Sequence, residues 1–107
     1  MMVRELKSNE FQNEVIDSEG LVLVDFSADW CFPCKMLAPV IEKLGTETEG
    51  IAKIYKIDID KSRDIAQKYA IMSVPTVMIF KNGIIMEKMV GFQSKKALLK
   101  KLNKHSA

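Results

Sequence analysis

The sequence predicts an α/β fold: a mixed five-stranded sheet flanked by about four helices, with residues 1–107 forming a single domain. Three observations carry this prediction. Strand-like and helix-like runs alternate early in the chain, which implies parallel strands joined by right-handed crossovers. The pair Asn82-Gly83 sits between two apolar runs and marks a hairpin, so antiparallel strands join the parallel ones. At 107 residues there is room for one core and no second.

Val3 to Leu6 reads as a short first strand. Asn9 can cap a helix whose first turn carries Glu10 and Gln12, with Phe11 and Val15 facing inward and Gly20 ending it. Leu21 to Phe26 is a nearly continuous apolar run, as expected of a central strand covered on both faces. A helix follows over about Pro33 to Thr48, with Met36, Leu37, Val40, Ile41 and Leu44 on one stripe. Pro39 lies inside it and predicts a kink. Ile51 to Ile59 reads as a β-branched strand. Asp60 or Ser62 then leads into a helix with Ile65, Ala66 and Tyr69 on one side. Thr76 to Phe80 and Ile84 to Val90 are the hairpin strands. Gly91 breaks the pattern, Ser94 caps a last helix, and Ala97, Leu98 and Leu102 form its apolar face.

Composition narrows the function classes. Sixteen basic against fourteen acidic residues leave a net charge of +2, too balanced for a nucleic-acid or membrane-surface partner. No apolar run approaches the ~18 residues of a membrane span. The start of the chain lacks a signal-peptide core, so a bacterial-type cytosol is the expected address. Two cysteines cannot by themselves complete a four-thiolate zinc or iron–sulfur site, and the single histidine, His105, adds little toward a metal site within one chain. No metal and no cofactor are expected. The seven methionines are read as core filler, and the lysines from Lys95 to Lys104 as a solvated helix face.

The chemistry concentrates in Trp30-Cys31-Phe32-Pro33-Cys34-Lys35, which follows the buried strand and opens a helix. Cysteines at i and i+3 on a first helical turn lie ~5–6 Å apart, a spacing that suits a disulfide. Open α/β sheets place their sites just beyond the carboxyl ends of strands. The helix N-terminus favours a thiolate at Cys31, and Pro33 stiffens the turn. The picture is of an exposed nucleophilic sulfur at Cys31 and a deeper one at Cys34. Two ordinary cysteines, or half of a zinc site shared between chains, are the alternatives; a strand before the motif, Trp and Lys flanking it and Pro inside it favour the redox reading. Asp25 stands in the apolar strand, where a carboxylate is costly unless paired or neutralised. Read alone, it is as readily an exposed strand-end residue as a functional one.

Val24-Asp25-Phe26, Trp30-Cys31, Pro33-Cys34-Lys35, Val74-Pro75-Thr76, Phe80-Lys81-Asn82-Gly83 and Val90-Gly91 together resemble the thioredoxin family, in its order and spacing and over the whole chain. The resemblance implies the thioredoxin fold and thiol–disulfide exchange. It implies that Cys31 attacks and Cys34 resolves, that Asp25 takes a proton from Cys34, and that Lys56 partners Asp25, where a solvated strand lysine is the alternative. It also implies a cis Val74-Pro75 bond facing the cysteines, with the Val74 backbone free to pair with substrate and Gly91 allowing a close backbone approach. Trp30, Phe32, Pro33, Ile59, Val74 and Phe92 would then border the sulfurs, although Ile59 and Phe92 are equally readable as core. Implied partners are disulfide-containing proteins and a thioredoxin reductase linked to NADPH or ferredoxin, with the chain a cytoplasmic monomer. Two positions depart from the family pattern. Phe32 stands where glycine is usual, which bears on redox poise and partner choice, and Ser27 stands where an aromatic residue is frequent.

Overall fold

The computed structural model describes residues 3–106. Five strands form one sheet in the order β1-β3-β2-β4-β5. They are β1 (Arg4–Glu5), β2 (Leu21–Ser27), β3 (Ala52–Asp58), β4 (Thr76–Lys81) and β5 (Ile84–Val90). Strand β3 runs parallel to β1 and β2, while β4 is antiparallel to β2 and to β5. The helices are α1 (Phe32–Glu47), α2 (Arg63–Lys68) and α3 (Lys95–His105), preceded by a helical segment over residues 8–16.

The residues of β2 alternate between two cores, which is why the strand reads as a continuous apolar run. Leu21 and Leu23 face Leu37, Ile41 and Leu44 of α1 and Leu98 and Leu102 of α3. Val22, Val24 and Phe26 face the opposite way, onto Phe11, Val15, Ile65, Met78 and Phe80. There Phe11, Tyr69 and Phe80 form a triangle of tilted and edge-on rings with centroids 5.3–5.9 Å apart, the arrangement ring quadrupoles favour. Asp25 is the polar residue that the same alternation directs at the α1 side.

The N-terminal segment departs from the expected helix. Residues 8–10 form a 3₁₀ turn and residues 12–16 a π-helical one. Asn9 lies inside the first turn and is not its cap. The carboxylate of Glu10 instead accepts the Lys7 N–H at 2.8 Å, supplying the partner a cap would. Phe11 and Val15 are nonetheless buried, so burial of this pair outweighs regular helical hydrogen bonding. Cys31 caps α1, and Ser94 caps α3 by accepting the Ala97 N–H at 3.1 Å. Of the lysines on α3, Lys95 pairs with Glu47, while Lys101 and Lys104 sit with His105 around Glu87. No helix among the described residues is long and apolar enough to cross a membrane.

Asn82 and Gly83 turn the hairpin with φ of 51° and 79°. A Cβ on Gly83 would lie 2.3 Å from the backbone oxygen of Ile16, so this glycine meets both a conformational and a steric demand. Gly20, at φ 81°, has open space around it and meets only the first. Gly83→Ala is expected to cost about 2–3 kcal/mol and Gly20→Ala about 1 kcal/mol. Thermal unfolding followed by circular dichroism checks this, the former losing about 10 °C or more in Tm; equal losses would show that the Ile16 contact relaxes freely.

Candidate active site

The site is built where β2 ends and α1 begins. Chain leaving the covered strand passes Ala28 and enters the helix at Cys31, whose sulfur accepts the Cys34 N–H at 3.2 Å. This sulfur therefore replaces the side-chain oxygen of an ordinary N-cap and sits at the positive end of a 16-residue helix. Both effects stabilise negative charge on Cys31 when the pair is reduced. Pro33, in the first turn, has no N–H to leave unpaired. Cys31 and Cys34 form a disulfide with Cα atoms 5.3 Å apart.

The exposed Cys31 expected from sequence is not observed. Cys31 is 4% exposed and Cys34 5%. Ala28 clusters with the pair and Ile59 and Val74 pack against this cluster, so in the disulfide form both cysteine residues are buried. The Val74 carbonyl oxygen lies 3.5 Å from the Cys31 sulfur. The Val74-Pro75 bond is cis, as the resemblance implies. Gly91 donates its N–H to the Pro75 carbonyl at 2.8 Å and so joins β5 to this loop. A Cβ there would meet nothing within 4 Å, while φ is 92°. The residue is thus fixed by backbone conformation and not by the close approach expected of it.

Beneath Cys34 lies a cavity of about 170 Å³ lined by Asp25, Ser27, Glu42 and Lys56 among others. Asp25 is buried, and its Oδ1 has no hydrogen-bond partner among the described residues. It is therefore a core carboxyl and not an exposed strand-end one. Burial pushes its pKa up from 3.8 to about 7, with the positive charge of Lys56 pulling the other way. Lys56 reaches this position because it is the register partner of Asp25 across the parallel β2–β3 pair, which puts both on one face.

In the segment that carries the cysteines, Trp30 and Phe32 are 68% and 70% exposed, and Phe92, just past β5, is 46% exposed. Ile59 is half-buried, joining the disulfide to the core beneath. The Trp30 ring is held by its Nε1–H, which donates to Asp60 at 2.8 Å. Asp60 lies two residues past the end of β3 and carries no sequence signal for this contact. Ser27 carried one, because it follows Asp25 at the strand spacing of two. The methionines are not all core filler: Met78 is buried, yet Met72, Met36 and Met86 are exposed. Met1 and Met2 lie outside the described residues. Among the described residues, no three His, Cys, Asp or Glu side chains cluster closely enough to hold a metal ion.

The thioredoxin family profile matches residues 2–104. A thioredoxin of Bacillus subtilis (strain 168) is 51% identical over 88 residues, which cover 82% of this chain and 85% of that protein. A thioredoxin of Staphylococcus aureus (strain Mu50) is 45% identical over 105 residues, covering 98% and 99% of the two chains. With these likenesses over nearly its full length and a disulfide at the N-terminus of α1, the chain belongs to the thioredoxin family and is a thiol–disulfide oxidoreductase.

Proposed function

We propose that this protein is a dithiol reductant of protein disulfides, acting in the cytoplasm as a monomer and a single domain. A thioredoxin reductase, drawing on NADPH or ferredoxin, returns its disulfide to the dithiol. The observation that carries the reading is the cavity that Asp25 shares with Cys34, beside the Cys31 sulfur that caps α1.

The Cys31 thiolate attacks one sulfur of a substrate disulfide, and the other sulfur leaves as a thiolate. Cys31 and substrate are then joined in a mixed disulfide. Asp25 takes the Cys34 proton through water in the cavity, with Lys56 setting how readily the carboxylate accepts it. The Cys34 thiolate attacks the Cys31 sulfur, and the second substrate sulfur departs. Two electrons pass to the substrate, and the Cys31–Cys34 disulfide remains. Trp30, Phe32 and Pro33 contact the substrate beside its disulfide. Val74, next to Pro75, offers backbone groups to an extended substrate strand, and Gly91 holds that loop from behind.

Support for a base at Asp25 comes from its pKa near 7, because such a group both accepts and releases a proton near neutral pH. Support for Cys31 as attacker comes from its place at the helix N-terminus. The whole assignment is tested by turnover of a protein disulfide with dithiothreitol as electron source. Wild type turns over; either cysteine→Ser variant is inactive.

Two further outcomes are expected. Cys34→Ser accumulates a covalent mixed disulfide with substrate, visible on a non-reducing gel, whereas Cys31→Ser accumulates none. The reverse pattern would exchange the two roles. The second outcome concerns Asp25 and pH. Unfolded, its carboxyl loses a proton near 3.8; folded, near 7. Between these values the folded chain holds the extra proton, so stability falls as pH rises and the full cost is reached above 7. At 1.36 kcal/mol per pH unit, the rise from 3.8 to about 7 costs on the order of 4 kcal/mol. Asp25→Asn is therefore more stable than wild type at pH 8, by denaturant unfolding, and the gain shrinks toward pH 4. The same variant resolves the mixed disulfide roughly 100-fold more slowly at pH 7. A pH-independent stability difference would contradict a buried, titrating carboxyl.

A further inference from the structure

Met72 is 91% exposed, the largest exposure among the large hydrophobic residues described. Its position follows from how α2 ends. Ala70 adopts φ 52°, its N–H bonds the Gln67 carbonyl at 3.1 Å, and the Ile71 N–H bonds the Ala66 carbonyl at 2.9 Å. This turn closes the helix and tucks Ile71 against the core. The next residue is left outside. Lys88 fixes the turn from β5 through the Tyr69 carbonyl at 3.1 Å.

Met72 also sits beside the redox site. Two residues on is Val74, whose carbonyl oxygen is 3.5 Å from the Cys31 sulfur. Met72 forms one lip of a mostly apolar groove of about 420 Å³, lined also by Ile59, Ala66 and Ile71. Ile59 belongs at the same time to the cluster over the disulfide. The groove and the cluster over the disulfide thus share Ile59 as a common wall. A thioether so placed adds adaptable apolar contact to whatever polypeptide lies across the site.

We propose that Met72 is an oxidation site through which peroxide weakens docking of apolar protein substrates, a proposal that rests on the reductant reading above. The thioether sulfur attacks one peroxide oxygen, the O–O bond breaks, and one oxygen stays as sulfoxide. The other oxygen leaves as water, carrying both protons of the hydrogen peroxide. Methionine sulfur is oxidised by two electrons and hydrogen peroxide is reduced by two. The product places a polar, chiral S=O on the lip of an apolar groove. In the disulfide form neither Cys31 nor Cys34 carries a thiolate, and among the described methionines Met72 is the most exposed. Met36, at 50% exposure, is the nearest competitor, and Met78, at 1%, is shielded.

The test treats the disulfide form with hydrogen peroxide, removes the peroxide, and locates added oxygen by peptide mass spectrometry. The protein is then reduced, and its rate with a protein whose disulfide is flanked by Leu or Phe is compared with its rate on a small aromatic disulfide. Oxygen is expected at Met72 before Met36 or Met86. The protein-substrate rate is expected to fall about fivefold, close to 1 kcal/mol at 1.4 kcal/mol per tenfold, while the small disulfide changes by less than about twofold, less than 0.5 kcal/mol on the same scale. In Met72→Leu the ratio of treated to untreated rates stays near one. Preferential oxidation elsewhere overturns the proposal, as does an equal loss in Met72→Leu or an unchanged rate once Met72 is oxidised. Failure of treated and untreated protein alike to reduce any protein disulfide overturns the reductant reading and this proposal with it.

Discussion

Helix α1 begins at Cys31 because the chain has just left a strand that is buried on both faces and paired on both edges. Leu37, Ile41 and Leu44 then bind the helix to the α1 side of the sheet, which fixes its N-terminus over the carboxyl end of β2. The other features of the site depend on this placement. It puts the Cys31 sulfur where a cap oxygen would stand, and it sets Cys34 inward over the cavity that holds Asp25. The cis loop reaches the sulfurs from the same sheet, because β4 pairs with β2 and its first residue, Thr76, lies opposite Phe26. A disulfide on a flexible loop would have neither the dipole nor the carboxyl beneath it.

The same constraint explains why Asp25 is costly and is kept in the core all the same. A carboxyl in a central strand cannot move to solvent without dismantling the strand. Its Oδ1 finds no partner among the described residues, and Lys56 offers charge without removing the burial. The result is an acid that titrates near neutrality instead of near 4. For a structural residue that is a loss of stability at physiological pH. For a group that must take a proton from a thiol and release it in the next cycle, it is the matching condition. Stability and activity pull on one oxygen pair in opposite directions here, and the large apolar clusters on both sheet faces make the loss tolerable.

Much of this was legible in the sequence because the signals are local. The alternation of runs, Asn82-Gly83, Ser94 before α3, and the Cys-x-x-Cys spacing after a strand each need only a few neighbouring residues. What could not be read depended on distant parts of the chain. Asn9 looked like a cap, yet Glu10 satisfies the Lys7 N–H while Phe11 and Val15 are drawn to a core formed largely by later residues. Gly91 suggested a close approach, whereas only its backbone angle demands glycine. The partner of Trp30 is thirty residues away. The methionines were assigned by residue type, and hydrophobic character does not distinguish Met78 inside β4 from Met72 just past the turn that closes α2. Asp25 was ambiguous for the same reason: its burial is decided by α1, and the local pattern does not report it.

The two aromatic rings beside the disulfide are not equivalent, and this asymmetry bears on partner choice. Trp30 is held by Asp60 through its indole N–H, which fixes the orientation of its ring. Phe32 has no polar handle, is 70% exposed, and stands between the cysteines on the first turn of α1. A glycine at this position would leave the helix N-terminus open to a bulky or polar neighbour of the substrate disulfide. Phenylalanine instead offers apolar area to a partner that can cover it and steric resistance to one that cannot. If Phe32 contacts substrate as proposed, one group of substrates gains binding and another is excluded, with Cys31, Cys34 and Asp25 left as they are. On the proposed reading, the chemistry of the pair rests on the helix N-terminus and the buried carboxyl, and the exposed residue between the cysteines bears on selectivity alone.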